Sequence, residues 1–546
     1  MSFRSISFSL TCLGFICAPL SFACSPASTA QPGVGGTTGT GGASAAGGSP
    51  GPSGGAPSTG GAPSTGGVPS TGGAATTGGG PASGGAEAVG GSAGSGGVPN
   101  AGGAAPSNCV AEGRAHNPMV TQIFTADPNA VVYGERIYVY TSHDVDNQDD
   151  YDMVDYHAFS SDDMVNWEDH GVIIHADDLP WATNLYAPGA CTKNGKYYLY
   201  IPNSGSGIGV AVADEPGGPF VDPLGVALVT KSFPNADVPW LFDPACFVDD
   251  DGQGYLYFGG GDDGGQNARV VRLNEDMVTL KDTSATTIPT TAFFEASFLH
   301  KHAGKYYFSY SSDFSSGHSA ALEYLIGDSP MTGFEYQGAF LPNSNINEGN
   351  NNHGSIVEFM GKNYLFYHAR KLEQELGVDK VNNRSVAIQE LTYAEDGKMV
   401  SQQMSTADYT VSQLKCLDGF AEVQAERLAE EKGIEVEGKA GETVRVTQIS
   451  SGDWIAYSQV DFRAGATSLV VQLASATGGG AIDVVIDGCI GGEAGTSIGT
   501  CEVASTGGAG MYGPLTCNLE STSGAHDLCL KFSGTPSFQI DSFHLE

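Results

Sequence analysis

The chain runs to 546 residues, room for two or three domains, and carries 61 acidic against 24 basic side chains, a formal net charge of −37. That balance excludes binding along a nucleic-acid backbone, where Lys and Arg must displace counterions. A neutral partner such as a polysaccharide remains compatible with it.

Residues 1–24, MSFRSISFSLTCLGFICAPLSFAC, combine Arg4, an apolar middle and a small-residue end, the pattern of an export signal that is removed. Cys24 follows Leu20-Ser21-Phe22-Ala23, which resembles a bacterial lipoprotein cleavage box with its leucine one place early and a bulky Phe22. Membrane attachment through a lipidated Cys24 and plain cleavage after Ala23 both stay open, so the protein is expected outside the cell or anchored to an outer membrane. No later apolar run reaches the ~18–20 residues of a membrane span. Residues 25–107 are Gly, Ser, Thr, Ala and Pro, with APSTGG at 56–61 and 62–67 and VPSTGG at 68–73. Such a stretch can bury no core and is expected to be a disordered tether, about 50 Å end to end at ~5–6 Å × √n. Gly90–Gly94 spells the G-x-S-x-G hydrolase motif, but without the strand and helix that motif requires.

From 108 to 417 one pattern recurs: strand, glycine turn, aromatic strand. It appears as VVYGERIYVYTSHD (131–144), TKNGKYYLYIPNS (192–204), FVDDDGQGYLYFGGG (247–261), FFEASFLHKHAGKYYFSYSS (293–312) and VEFMGKNYLFYHAR (357–370). The turn glycines Gly134, Gly195, Gly252, Gly304 and Gly361 are 61, 57, 52 and 57 residues apart. A β-unit repeated at this period cannot bury its faces alone, which predicts a radial array, a five-bladed β-propeller. Outer strands are expected at 158–174, 207–220, 270–280, 322–341 and 384–400, the last closing the ring against the first blade. Seven to nine residues before each glycine lies the strand that would line the central channel. That phase holds Asp127, Pro188, Asp243, Glu295 and His353.

Residues 418–546 show short strands and Gly-rich turns with no helical period, the signature of a β-sandwich. The fold class is therefore all-β, a propeller followed by a sandwich (jelly roll). In an exported chain Cys489, Cys501, Cys517 and Cys529 are read as two disulfides, with Cys489–Cys501 and Cys517–Cys529 the favoured local pairing. Cys109 and Cys416 bracket the propeller and could clasp its ends. Cys191 and Cys246 fall on neighbouring first strands, as a disulfide or as two buried thiols.

Hydrolysis of a glycosidic bond takes one carboxylic acid to protonate the leaving oxygen and one carboxylate to activate water. A third charge nearby can hold the acid's pKa up. Asp127, Asp243 and Glu295 supply that number in one phase. The plainer reading, that Asp127-Pro128 and Asp243-Pro244 are turn signals, explains each aspartate singly but not three acids in register with a histidine. Asp249-Asp250-Asp251-Gly252 reads as a hairpin turn rather than a cation loop, since the later ligands of an EF-hand are missing. Residues 144–155 read as a solvated rim loop.

At these residues the chain resembles glycoside hydrolase family 43. The matching pieces are Thr125-Ala126-Asp127-Pro128, Phe242-Asp243-Pro244 with Phe247–Gly252, Glu295-Ala296-Ser297-Phe298, His353-Gly354-Ser355-Ile356-Val357 and Asn383-Arg384-Ser385-Val386. The resemblance implies a five-bladed propeller and an inverting mechanism, with Asp127 as general base, Glu295 as general acid and Asp243 as modulator of the acid. It puts His353 and Arg384 near the channel floor against sugar or an ion, with Tyr186 and Phe294 beside the substrate, and no cofactor is expected for catalysis. One departure is Tyr186-Ala187-Pro188-Gly189, where the family usually has Trp-Ala-Pro and an acid. The implied substrate is plant cell-wall polysaccharide, arabinoxylan or arabinan, cut by an α-L-arabinofuranosidase or β-xylosidase acting as a monomer. An endo-arabinanase and a non-catalytic glycan-binding lipoprotein on the same scaffold are the alternatives. The last domain resembles a family 6 carbohydrate-binding module through Val423-Gln424-Ala425-Glu426 and Phe538-Gln539-Ile540-Asp541. By that resemblance Glu426 and Asp541 would hold a structural calcium and Tyr457 and Tyr512 would stack on sugar. Gln539 stands at the sugar-bonding position where an Asn is usual and Ala509 replaces an expected aromatic, so weakened binding and a purely structural role for the module stay open.

Overall fold

The computed structural model describes Cys109 and residues 113–146, 151–261, 265–313, 318–347, 351–378, 383–411 and 414–546. The expected export signal, Cys24 and the low-complexity tether lie outside the described residues. Within them, Lys371–Leu376 is the one α-helix; the regular structure is otherwise β, apart from single 3-10 turns.

Five antiparallel sheets follow one another in chain order, each built outward strand by strand. The first is Thr125–Tyr133, Arg136–His143, Asp155–Ser161 and Trp167–His175. The second is Gly189–Lys193, Lys196–Pro202, Gly207–Ala213 and Val229–Thr230. The third is Ala245–Val248, Gly254–Phe258, Arg269–Arg272 and Thr286–Thr287. The fourth is Phe293–His302, Lys305–Ser312, Ala321–Gly327 and Glu335–Pro342, and the fifth Gly354–Phe359, Lys362–Ala369 and Ser385–Leu391. All five turn glycines joining first to second strands have positive φ, between 63° and 81°. Tight hairpins demand that region, which glycine enters without steric cost.

Each first strand packs beside the first strand of the next sheet, and the fifth returns to the first. Strand alternation supplies the glue between sheets. In the second sheet Leu199 and Ile201 pack with Tyr140 and Tyr156 of the first, while Tyr198 and Tyr200 pack with Leu256 and Phe258 of the third. Similar clusters join the third to the fourth through Tyr257 and Phe308, and the fourth to the fifth through Tyr324 and Tyr367. Phe366 and Ile388 pack with Val139 and Phe159, closing the ring apolar face to apolar face. The closure is latched by Met119 N–H and Thr125 N–H donating to the carbonyls of Val386 and Arg384, and by the Cys109–Cys416 disulfide.

Cys191–Cys246 is also a disulfide, tying the first strands of the second and third sheets. The double substitution Cys191→Ser with Cys246→Ser should cost about 2–4 kcal/mol, read as a lower midpoint in urea unfolding.

The sandwich stacks a sheet containing Trp454–Asp461, Ala525–Ser533, Ala481–Gly488 and Ala494–Glu502 on one containing Arg445–Thr447, Gln539–Leu545, Ala466–Ala474 and Tyr512–Thr522. Its disulfides are Cys489–Cys529 and Cys501–Cys517, which corrects the expected local pairing. Ala481–Gly488 and Ala494–Glu502 form a hairpin with Ile482 opposite Cys501 and Gly488 opposite Ala494. Cys489 and Cys501 therefore sit at opposite ends of it, about 20 Å apart at ~3.3 Å per residue, whereas a disulfide spans under ~7 Å. Cys501–Cys517 instead bolts one sheet to the other.

The sandwich is joined to the ring. Arg427–Leu428 adds a fifth strand to the first sheet, against Trp167 and Glu168. Asn166 exchanges hydrogen bonds with the Ser458 backbone, at 2.8 and 3.2 Å, and Arg427 pairs with Asp162.

Candidate active site

Two first strands are broken where the chemistry lies. The Thr125–Tyr133 strand bulges between Ala126 and Asn129, and the Phe293–His302 strand slips on both sides of Glu295. Asp127 (φ 52°), Asp243 (φ 48°) and Ala296 (φ 61°) take left-handed backbone, which costs on the order of 1–3 kcal/mol each in a non-glycine residue. A bulge re-aims a side chain that regular pleating would send elsewhere. Here the result is convergence: Asp127, Asp243, Glu295, His353 and Arg384 come to one centre.

Asp127 is the most heavily held. Its Oδ1 accepts from Arg384 Nη1 at 2.8 Å and its Oδ2 from Ser142 Oγ at 2.6 Å. Its own N–H donates to His368 Nδ1 at 3.2 Å, while His368 Nε2 lies 2.9 Å from the Asn351 carbonyl. Burial would raise its pKa, but Arg384, with His368 and His353, outweighs burial and holds the carboxyl well below the ordinary aspartate range. Asp127 is thus held as a carboxylate near neutral pH. Asp243 Oδ2 accepts from the Ala296 N–H at 2.9 Å, and His353 Nδ1 stands 3.7 Å from both Asp127 and Asp243. Burial drives the His353 imidazole down to about 4, so it is neutral there.

Glu295 differs. Among the described residues no hydrogen-bond donor reaches its carboxyl, and the residue stays half-buried. Burial, then the negative charges of Asp243 and Asp127, push its pKa well above the ordinary glutamate range. Asp243 is pushed up as well, by burial and by Asp127. The Ala296 N–H bonds the Asp243 carboxylate and nothing comparable serves Glu295, so of the two Glu295 keeps the proton.

Arg384 was expected against sugar or an ion, and the structure corrects this. It is only 1% exposed, because Nε and Nη2 clamp both oxygens of Asp144 at 2.9 and 2.7 Å and Nη1 holds Asp127. It positions the carboxylates instead. The same clamp corrects the solvated rim loop at two positions: Asp144 is buried, and so is Met153, whose sulfur lies 3.2 Å from Arg384 Nη2. Asp146 and Asp152 are exposed as expected, and residues 147–150 lie outside the described residues. Tyr151 is 40% exposed, lies with its ring centre 5.4 Å from the guanidinium and accepts from Asn351 Nδ2 at 2.9 Å. Ser142, Asp144 and His368 escaped the sequence reading. A signal existed, since polar residues (TSHD, YHAR) end the second strands of the first and fifth repeats.

Tyr186 and Phe294 join Phe242 and Trp240 in one aromatic wall. Trp240 stacks on Phe242 at 5.2 Å and meets Phe294 edge-on at 5.4 Å, and Tyr186 meets Phe242 at 6.4 Å. Phe242 and Phe294 directly precede Asp243 and Glu295, so this wall flanks the acids. Neither Trp240 nor Phe242 lies in the repeat phase that marks the acids, so the sequence pattern does not point to them. Gly189, where an acid was expected, has a physical reason: a Cβ there would stand 2.2 Å from the Pro244 carbonyl oxygen. Asp249 and Asp250 are a turn pinned by Lys301, at 2.8 and 2.7 Å.

In the sandwich Tyr457 cannot stack on sugar. Strand alternation turns it inward, fully buried, with its hydroxyl donating to the Ala425 carbonyl and its ring 4.7 Å from Phe543. Tyr512 and Gln539 lie on either side of Ala474 in the same sheet. Gln539 spends its amide internally, accepting from Arg445 Nε and donating to the Ala509 carbonyl, so it is not the free sugar donor expected. Glu426 is 4% exposed, its Oε2 meets no hydrogen-bond donor, and burial with the charges of Glu168, Asp169 and Asp541 pushes its carboxyl up to about 9. A buried orphan oxygen facing other carboxylates fits a hard divalent cation.

A model of glycosyl hydrolases family 43 matches residues 115–399, and one of the carbohydrate binding module (family 6) matches residues 424–546. The arabinoxylan arabinofuranohydrolase of Paenibacillus polymyxa is 38% identical over 77% of this chain and 72% of its own length. That of Bacillus subtilis (strain 168) is 36% identical, over 81% of this chain and 94% of its own. The crystal structure of a glycoside hydrolase family 43 arabinoxylan arabinofuranohydrolase from Bacillus subtilis, in complex with cellotetraose, superposes with a TM-score of 0.72 at 36% identity, covering 79% of this chain and 97% of that one. Since the first match spans all five sheets of the ring and the second spans the sandwich, the chain belongs to glycosyl hydrolases family 43, a glycosidase that carries a family 6 carbohydrate-binding module.

Proposed function

We propose that the enzyme removes pentose units, α-L-arabinofuranosyl or β-xylosyl, from arabinoxylan-type plant polysaccharide with inversion at the anomeric carbon. The carrying observation is the difference in surroundings of two converging acids. Asp127 is buried and clamped by Arg384 and Ser142, which favours its carboxylate, and Glu295 is half-buried with no hydrogen-bond donor among the described residues, which favours its protonated form. In this reading Glu295 protonates the glycosidic oxygen while Asp127 takes a proton from a water on the opposite face of the sugar, and that water adds to the anomeric carbon. Asp243 acts through Glu295, its negative charge holding the acid's pKa up, and neutral His353 spaces the two aspartates. The aromatic wall of Tyr186, Trp240, Phe242 and Phe294 gives the apolar sugar face a surface to rest on. The names of the Paenibacillus and Bacillus relatives support arabinoxylan over arabinan.

The five sheets are the blades of one propeller spanning 108–417, and 418–546 is the sandwich module, in which Tyr512 is the remaining aromatic for sugar. Glu426 and Asp541 would hold a calcium, which would neutralise charge at the sandwich edge and take no part in catalysis. The enzyme acts as an exported monomer, with residues 25–107 as its tether, anchored if Cys24 is lipidated.

Incubation with wheat arabinoxylan, nitrophenyl arabinofuranoside, nitrophenyl xyloside and debranched arabinan tests the reading. Free arabinose or xylose is expected, and proton NMR of the first turnovers should show the inverted anomer. Folded protein releasing no sugar from any of these, or releasing the retained anomer, overturns it. A second test isolates Asp243: removing a negative charge beside Glu295 lowers the acid's pKa. The alkaline limb of kcat/KM should therefore move to lower pH in Asp243→Asn, and an unmoved limb would assign Asp243 another role.

A further inference from the structure

The first sheet carries a second polar cluster that the reaction does not use. We propose that His143, Asp155 and His157 form a site for a zinc-type divalent ion. His157 and Asp155 stand two apart on the Asp155–Ser161 strand and so share a face. His143 ends the neighbouring Arg136–His143 strand, in which Thr141 pairs with His157. One ligand atom from each of the three residues lies within 4.8 Å of the other two, and the imidazole rings meet edge to face at 5.6 Å. Zinc bonds of ~2.0–2.2 Å put tetrahedral ligands roughly 3.3–3.5 Å apart, so a side-chain adjustment of little more than an ångström closes the site.

The surroundings are those of a metal histidine. His157 Nδ1 lies 3.2 Å from Asp169 Oδ1, and Asp169, 1% exposed in its side chain, is fixed by the Gly171 N–H at 2.8 Å and Gln122 Nε2 at 3.3 Å. A carboxylate behind one ring nitrogen fixes the tautomer and leaves the other lone pair for a metal. Among the described residues nothing bonds His157 Nε2. Side-chain exposures of 22% for His143 and 13% for Asp155 give the ion an entry and a fourth, water position. Two imidazoles and one carboxylate select a borderline transition metal over calcium, which takes oxygen ligands. His143 directly precedes Asp144, the anchor of Arg384, so a bound ion would stiffen the strand end behind the catalytic centre without touching substrate.

The test uses the full chain, stripped with chelator and titrated with zinc chloride by calorimetry in excess calcium, which fills any all-oxygen site first. Saturable binding of one zinc per chain and a zinc-dependent rise in Tm are expected. His157→Gln and Asp155→Asn should each weaken binding at least about tenfold, as even outer-shell losses do, and abolish the Tm rise. Circular dichroism without zinc checks that both variants fold. No saturable zinc binding to the wild type, or equal binding to folded His157→Gln, overturns the site and leaves two histidine–aspartate pairs, His143 Nδ1 with Asp155 Oδ1 at 2.8 Å and His157 Nδ1 with Asp169 Oδ1 at 3.2 Å.

Discussion

Glu295→Gln should hydrolyse arabinoxylan about 10²–10⁴-fold more slowly than the wild type, the usual worth of a positioned general acid, while melting no earlier. The glutamine keeps the size of the side chain but has no proton to give. The deficit should shrink for an aryl glycoside whose leaving group departs without protonation, because the missing step is then not required. Stability should move the other way. A carboxyl whose folded pKa lies above its unfolded value stabilises the fold fully at low pH and loses that contribution as pH rises through the folded value. Burial and the Asp243 and Asp127 charges put Glu295 in this class, so above that range its ionised form costs stability that glutamine does not. The wild type should therefore lose Tm on the alkaline side where the variant does not. Kinetics on both substrates and paired melting curves check this, and wild-type turnover in a folded Glu295→Gln enzyme would remove Glu295 from the acid's role.

What the chain disclosed in advance was periodic. Five glycines that must take positive φ, each followed by an aromatic strand, carry the ring. The phase before each glycine placed Asp127, Asp243, Glu295 and His353 together because equivalent strands of a ring face one axis. What stayed hidden depends on breaks in period or on packing in three dimensions. The bulges at Asp127 and Glu295 have no sequence mark beyond an Asp-Pro step. Tyr457 looks like any surface aromatic until strand alternation assigns it to the inner face beside Ile455. Nearness in sequence misled at Cys489 and Cys501 because a hairpin carries residues twelve apart to opposite ends. Asp144 sat in an acidic run that reads as solvated, yet the one buried guanidinium reaching both it and Asp127 sits some 240 residues onward.

That guanidinium carries the other large effect. Arg384→Ala should cost about 3–5 kcal/mol, the usual price of stranding a buried charge, because Asp127 and Asp144 are both buried and lose their clamp together. Activity should fall with it: without Arg384, burial raises the Asp127 pKa and the base is protonated where the wild type is ionised. Arg384→Lys separates charge from shape. A single ammonium cannot grip both oxygens of Asp144 and still reach Asp127, so it should recover part of the stability and little of the turnover. The pH dependence supplies the sign. A carboxylate with a depressed folded pKa lends stability above its unfolded pKa and withdraws it as pH falls through the folded value. The Tm gap between wild type and Arg384→Ala should accordingly be widest near neutrality and narrow toward about pH 3, below the ordinary aspartate pKa of ~3.9. A gap that stays constant across that span would mean that Arg384 contributes packing rather than charge, and that something else keeps Asp127 ionised.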